Sequence, residues 1–227
     1  MTEAVIVSTA RTPIGKAYKG ALNHTGGATL LGHAISAALS RSGVDGAEVE
    51  DVVMGCAMQQ GTTGSNIARK ALLRAGLPVS VAATTIDRQC ASGLQAIALA
   101  ARSVLFDGVT VAIAGGGESI SLVQNDKMNA FHAVDPELHA MKADAYIAML
   151  DTAEVVAERY GISRERQDEY SLESQRRTAA AQQAGRFNDE LAPISTTMAV
   201  ARSEERFSRN AETDSEISYA VFCLKKS

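Results

Sequence analysis

Cysteine is the residue type in this 227-residue chain with the most chemistry to offer, and the chain has three of them. Cys90 lies in "IDRQCASGLQAIALAARSVLFDG" (residues 86–108), where a β-rich run hands over to apolar residues recurring every three or four positions. Leu94, Ile97, Ala98, Ala101, Val104 and Leu105 carry that recurrence and predict a helix from Ala91 or Ser92 to Gly108. A cysteine at such a junction meets unpaired backbone N–H groups and the positive end of the helix dipole, both of which favour a thiolate. Arg88 would add positive potential, and Ala91, Ser92 and Gly93 are small enough to let an acyl group approach. The competing reading is the common one for a free cysteine, a small buried hydrophobe. Position alone leaves both open.

The other candidates are weaker. Cys56, in "VVMGCAMQQG", has no helix start after it and reads as structural. The cysteines are odd in number and far apart, so they predict neither a disulfide framework nor a metal site, and a reducing, cytoplasmic setting fits them. Gly115–Gly117 lack the full G-x-G-x-x-G spacing of a dinucleotide site, although three glycines after a strand allow close approach of a ligand or another backbone. His24, His33, His132 and His139 read as surface or loop residues.

The elements that must position Cys90 follow from periodicity. Strands are expected at Ala4–Ala10, Val49–Ala57, 81–87 and from Val109 into the three glycines; helices at 29–43, stopped by Gly43, and at 65–78, capped by Ser65. Strands alternating with helices through short loops indicate an α/β layered fold. Residues 119–146 carry no sustained period and read as an irregular functional loop. A helix opening on Asp151, with Glu154 completing a capping box, and a long surface helix from Ser163 to Gly185 come next. A net charge of −4 and the absence of any basic stripe argue against nucleic acid or an anionic membrane as partner, and scarce aromatics argue against base stacking. The apolar run at the N-terminus is too short for a signal peptide, and no stretch reaches membrane-spanning length.

Five segments, "STARTPIGKAYKGAL", "DRQCASGLQAIA", "GGGESIS", "DTAEVVAERYGISRERQDEYSLESQ" and "AGRFNDELAPI", together resemble the N-terminal half of a thiolase, the acyl-CoA acetyltransferase family. The resemblance runs from Ala4 to Val200. It implies a thiolase-like α/β fold, with a mixed β-sheet carrying helices on both faces, and makes Cys90 the nucleophile that takes an acyl group from an acyl-CoA thioester. An α-carbanion of a second acetyl-CoA then attacks the S-acyl cysteine in a Claisen condensation, or the sequence runs backwards as thiolytic cleavage of a 3-ketoacyl-CoA. Coenzyme A thioesters would be substrates, no cofactor would be bound permanently, and the parent protein would be a homo-oligomer, dimer or tetramer.

Several positions depart from the family pattern. Asp87 stands where an asparagine is usual three residues before the cysteine, and Ala91 where a glycine commonly follows it. Ala148 replaces a histidine that helps line the CoA tunnel, so only Met149 is carried over, as a CoA-side contact. The loop from Ser121 to Tyr146 is shorter than in tetrameric biosynthetic members. The second half of a thiolase supplies a Gly-His-Pro histidine, an asparagine motif and a Cys-Gly-Gly-rich loop, and none of these occurs here. An inactive half is therefore expected for the 227 residues themselves. The alternatives are a decarboxylating condensing enzyme of the same superfamily and a non-catalytic CoA-binding or vestigial half.

The expected organisation is a nucleophile-bearing α/β core over 1–118, a truncated CoA-facing loop and helical region over 119–201, and a non-native disordered tail over 202–227. Between Arg202 and Glu216 only Phe207 and Ala211 are apolar, too few to offset the entropy of ordering. "RSEERFSRNAETD" and "ISYAVFCLKK" resemble a conceptual translation of the adapter DNA used in short-read sequencing, which would end native coding sequence near Val200 or Ala201.

Overall fold

A computed structural model describes residues 3–200 and 220–226. It divides into two compact units, one of residues 1–128 and 190–227, the other of residues 129–189. The expected boundaries at 118 and 201 therefore shift: residues 119–128 and 190–200 belong with the core.

The first unit is built on a five-stranded mixed sheet: β1 (Ala4–Arg11), β2 (Asp51–Gly55), β3 (Ala82–Ile86), β4 (Val111–Gly116) and β5 (Ala220–Lys226), in spatial order β1-β5-β4-β2-β3. β2 is parallel to both β3 and β4, with Gly55 opposite Ile86 on one side and Gly116 on the other. β5 is antiparallel to its neighbours β1 and β4. The disordered tail expected over 202–227 fails at its far end, since Ala220–Lys226 is a strand. "AVFCL" is an unbroken apolar run, and in a strand with both faces covered such a run is buried: Val221, Cys223 and Leu224 all are. Residues 201–219, which carry the rest of that expectation, lie outside the described residues.

Helices cover both faces, as expected. α1 (Gly27–Ser42) and α2 (Ile67–Arg74) pack on one side through Leu31, Ile35, Ile67 and Leu72 against Val52, Met54 and Ile113. α3 (Ser92–Phe106) packs on the other against Val53, Ala112 and Ala114. Val52 and Met54 face one layer and Val53 the other, which is the period-2 alternation of a strand. Gly43 ends α1 in the left-handed conformation at φ 68°. α2 is capped one residue later than expected: the Asn66 carboxamide oxygen accepts from Arg69 N at 3.0 Å. The returning segment is fastened by the Arg11–Glu190 ion pair and by Arg41, which donates to the carbonyls of Thr9, Glu190 and Leu191.

The span expected as an irregular loop is not uniformly irregular. α4 (Ile120–Val123) follows β4 in the first unit, and the second unit opens with α5 (Pro136–Met141), where Pro136 takes the first helical position and the Asp135 carboxylate accepts from Glu137 N and Leu138 N. α6 (Met149–Tyr160) starts two residues before Asp151, on Ala148 and without a side-chain cap, so the expected capping box does not form. Asp151 sits in its first turn instead, where a negative charge suits the dipole. α7 (Arg164–Gln183) has the expected cap, Ser163 Oγ accepting from Arg166 N. No described helix is long and apolar enough to cross a membrane.

Candidate active site

β2, β3 and β4 are parallel and end together. Cys56 N donates to Ile86 O at 2.9 Å and Gly117 N to Gly55 O at 3.0 Å, which ties the three carboxyl ends into one rim. That rim is where α/β sheets present their ligands.

Cys90 is on it and is exposed to solvent, whereas Cys56 and Cys223 are buried. It stands immediately before Ala91, the N-cap of α3, so its thiol is at the positive end of a 15-residue helix. The residue ahead of it, Gln89, is in the left-handed region at φ 50°, uncommon for a side chain other than glycine. Around this turn Ala91 N donates to Arg88 O at 3.1 Å and Ser92 N to Gln89 O at 3.0 Å. The Ser92 hydroxyl accepts from Arg88 N at 2.8 Å and donates to Gln89 O at 2.6 Å. The Arg88 guanidinium donates to the Gln95 side chain one turn into the helix.

Two of the departures from the family pattern are accommodated here. Asp87 Oδ1 accepts from Gln89 N at 2.7 Å, and the carbonyl oxygen of an asparagine offers the same acceptor. Ala91 has φ −94°, a conformation open to any residue, so no glycine is needed there.

α3 reaches the rim by unusually close packing on the sheet. A methyl group placed on Gly55 would lie 2.2 Å from the carbonyl carbon of Ser92, and one on Gly116 would lie 2.9 Å from the Cα of Gly93. The helix face that makes this approach is Ser92, Ala96, Ala100 and Val104. The expected face was the bulkier one through Leu94, yet Leu94 is 72% exposed. Large side chains cannot fit where two glycines bring backbones together, so small residues take the sheet side.

Cys56 has the structural setting expected of it. Its Sγ lies 3.5 Å from Glu118 Oε2, and Glu118 Oε1 accepts from Ala57 N at 2.5 Å and Met58 N at 3.4 Å. Burial, and then the neighbouring Glu118 carboxylate, push the Cys56 thiol up to about 12. Sequence reasoning missed Glu118 and Gly55. Their signals were a carboxylate directly after a buried glycine-ended strand, and a lone glycine at the end of another.

Met149 belongs to the second unit, as the first residue of α6, with three-quarters of its surface exposed. Among the described residues no group of three or more His, Cys, Asp or Glu is placed to hold a metal ion. His33 differs from its expected surface role, since its Nε2 is buried without a partner on α1.

A glycine-seated helix that presents an exposed cysteine at the carboxyl rim of a mixed sheet defines an α/β domain with a thiol at its ligand-facing edge. The sequence matches the family described as Thiolase, N-terminal domain, over residues 4–222, and the chain belongs to that family. It is 42% identical to a 3-ketoacyl-CoA thiolase of Bacillus subtilis over 200 residues, which cover 87% of this chain and 50% of that protein. It is also 42% identical to an acetyl-CoA acetyltransferase of Chromobacterium violaceum, covering 85% of this chain and 51% of that one. A beta-ketoadipyl-CoA thiolase of Acinetobacter baylyi is 40% identical over 211 residues, 86% of this chain and 52% of that protein. The chain spans about half the length of the curated relatives it matches.

Proposed function

We propose that this chain is the nucleophile-bearing half of an acyl-CoA C-acyltransferase. The Cys90 thiolate attacks the carbonyl carbon of an acyl-CoA thioester; the tetrahedral oxyanion collapses, the C–S bond to coenzyme A breaks, and the CoA thiolate leaves and takes a proton. The product is an S-acyl cysteine. The chemistry then continues with attack of an acetyl-CoA α-carbanion on that acyl group, or in reverse as thiolysis of a 3-ketoacyl-CoA. Splitting one acyl transfer into two steps is the gain of covalent catalysis. The observation that carries this reading is the exposed cysteine before α3 in a member of the thiolase family.

In the same reading Met149 contacts the CoA side of the substrate, and coenzyme A enters only as substrate, with no resident cofactor. The parent protein assembles as a homo-oligomer and works in the cytoplasm. Complete turnover needs the histidine, the asparagine and the second cysteine that thiolases take from their other half. The test is acetylation without turnover. After incubation with acetyl-CoA, peptide mass mapping should place an acetyl group on Cys90, at a level that Cys90→Ser abolishes. An acetyl group on another residue, or none on a Cys90 that still alkylates, overturns the proposal.

A further inference from the structure

We propose that Ser92 is the positioning residue of the nucleophile, its hydroxyl acting as a buckle that closes the turn holding Cys90 in front of α3. The inference deepens the acyl-transfer reading and depends on it only for the identity of the incoming electrophile.

The turn needs a fastening. Gln89 takes a left-handed backbone although it carries a side chain, and the one local side-chain bond from its own run, Asp87 Oδ1 accepting from Gln89 N, holds the entry to the turn but not its exit towards α3. Cys90 is exposed on one side of it, so packing does not hold the thiol in place. Ser92 does the holding from beneath. It is 4% exposed, and its oxygen uses its acceptor capacity on Arg88 N and its proton on Gln89 O. One hydroxyl therefore grips the chain at both residues ahead of Cys90, and the bonds of 2.8 and 2.6 Å are well formed. The anchor is itself immobile, because the Ser92 backbone is seated against Gly55, where even a methyl group would collide at 2.2 Å. The strand thus fixes the serine, the serine fixes the turn, and the turn fixes where the sulfur stands relative to the helix N-terminus.

Loss of the hydroxyl leaves Arg88 N without its partner and frees the turn that carries Cys90 into α3. The experiment is the rate of iodoacetamide alkylation of Cys90 in the full chain as a function of pH, for the native chain, Ser92→Ala and Ser92→Thr. For Ser92→Ala the rate at pH 7 should fall about fivefold or more, as expected for losing one hydrogen-bonded anchor. At pH 10, where exposed thiols are ionised in any case, it should match the native chain within about twofold. Ser92→Thr, which keeps the oxygen, should follow the native profile. A folded Ser92→Ala with the native profile overturns the proposal, and so does a Ser92→Thr that behaves like the alanine variant. Should Ser92→Ala not fold, hydrogen exchange in the native chain decides: a protected Arg88 amide supports the buckle, and exchange at the open-chain rate contradicts it. No acyl-CoA enters this assay, so failure of acetylation at Cys90 and failure of the buckle are separate results.

Discussion

Two cysteines follow neighbouring parallel strands of one sheet, and they have opposite fates. Cys56 continues β2 and Cys90 comes four residues after β3. After β2, Glu118 from beyond β4 accepts from Ala57 N and Met58 N and lies against the thiol, so that Cys56 is 1% exposed and its sulfur donates towards a carboxylate. After β3 the chain makes a left-handed turn at Gln89 and starts a helix, so Cys90 ends in solvent at the positive end of a dipole. The difference is not one of element order, since both strands end on the same rim. It lies in what meets each thiol: burial and the Glu118 carboxylate arriving from the end of β4 disfavour a thiolate at Cys56, whereas Cys90 stands exposed ahead of a helix N-terminus. Exposure of a thiol at this rim depends on what packs around the strand end rather than on the strand itself.

The largest effect on this contrast should come from Gly55→Ala. The new methyl group meets backbone atoms of Ser92 and Gly93, which cannot move aside as a flexible side chain would. A loss of about 3 kcal/mol or more in unfolding free energy is expected, with Cys90 alkylation in any folded fraction falling towards that of a disordered thiol. Chemical denaturation measures the first and quantitative mass spectrometry the second. Next in size is Glu118→Ala, which leaves Ala57 N and Met58 N without their acceptor and should cost about 1–3 kcal/mol. Removing that charge also weakens the contrast itself, because Cys56 loses one of the two main causes that keep its thiol neutral.

A smaller effect appears in the alkaline limb of stability. The Cys56 thiol sits at about 12 in the folded chain against an ordinary value of 9.0. Its stabilising contribution is therefore complete below pH 9. Above that pH the unfolded chain gives up a proton that the folded chain keeps, and stability falls until the folded thiol also ionises near 12. Between pH 9 and pH 10 this one group should cost about 1 kcal/mol, so denaturation curves of the native chain and Cys56→Ala should converge by that amount. Parallel pH dependences for the two would show that Cys56 ionises normally.

Much of this was legible in the sequence. The order of β1 to β4, the helices around Cys90, the Gly43 and Gly185 stops and the Ser163 cap follow from periodicity and from residues with one strong conformational preference. The family was legible from motif order, which the match over residues 4–222 bears out. What escaped was what depends on contacts distant in sequence. The α3 face was misassigned because apolar size suggests Leu94 inward, while Gly55 and Gly116, 37 residues before and 24 after Ser92, demand alanines there. β5 escaped because a polar stretch beside it dominated the composition, although "AVFCL" has the continuous apolar character of a buried strand. The α6 cap escaped because Asp151 and Glu154 have capping-box spacing, but the helix begins at Met149. Glu118 could be placed only once the ends of β2 and β4 were known to be neighbours.

The most direct measurement is the rate of iodoacetamide labelling at each of the three cysteines in the native chain, with and without saturating acetyl-CoA, followed by peptide mass mapping. The account predicts labelling of Cys90 alone, slowed when acetyl-CoA is present because the thiol is acylated or covered, with Cys56 and Cys223 labelled only after unfolding. Labelling of Cys56 at a rate comparable to that of Cys90, or a Cys90 rate indifferent to acetyl-CoA, would contradict it.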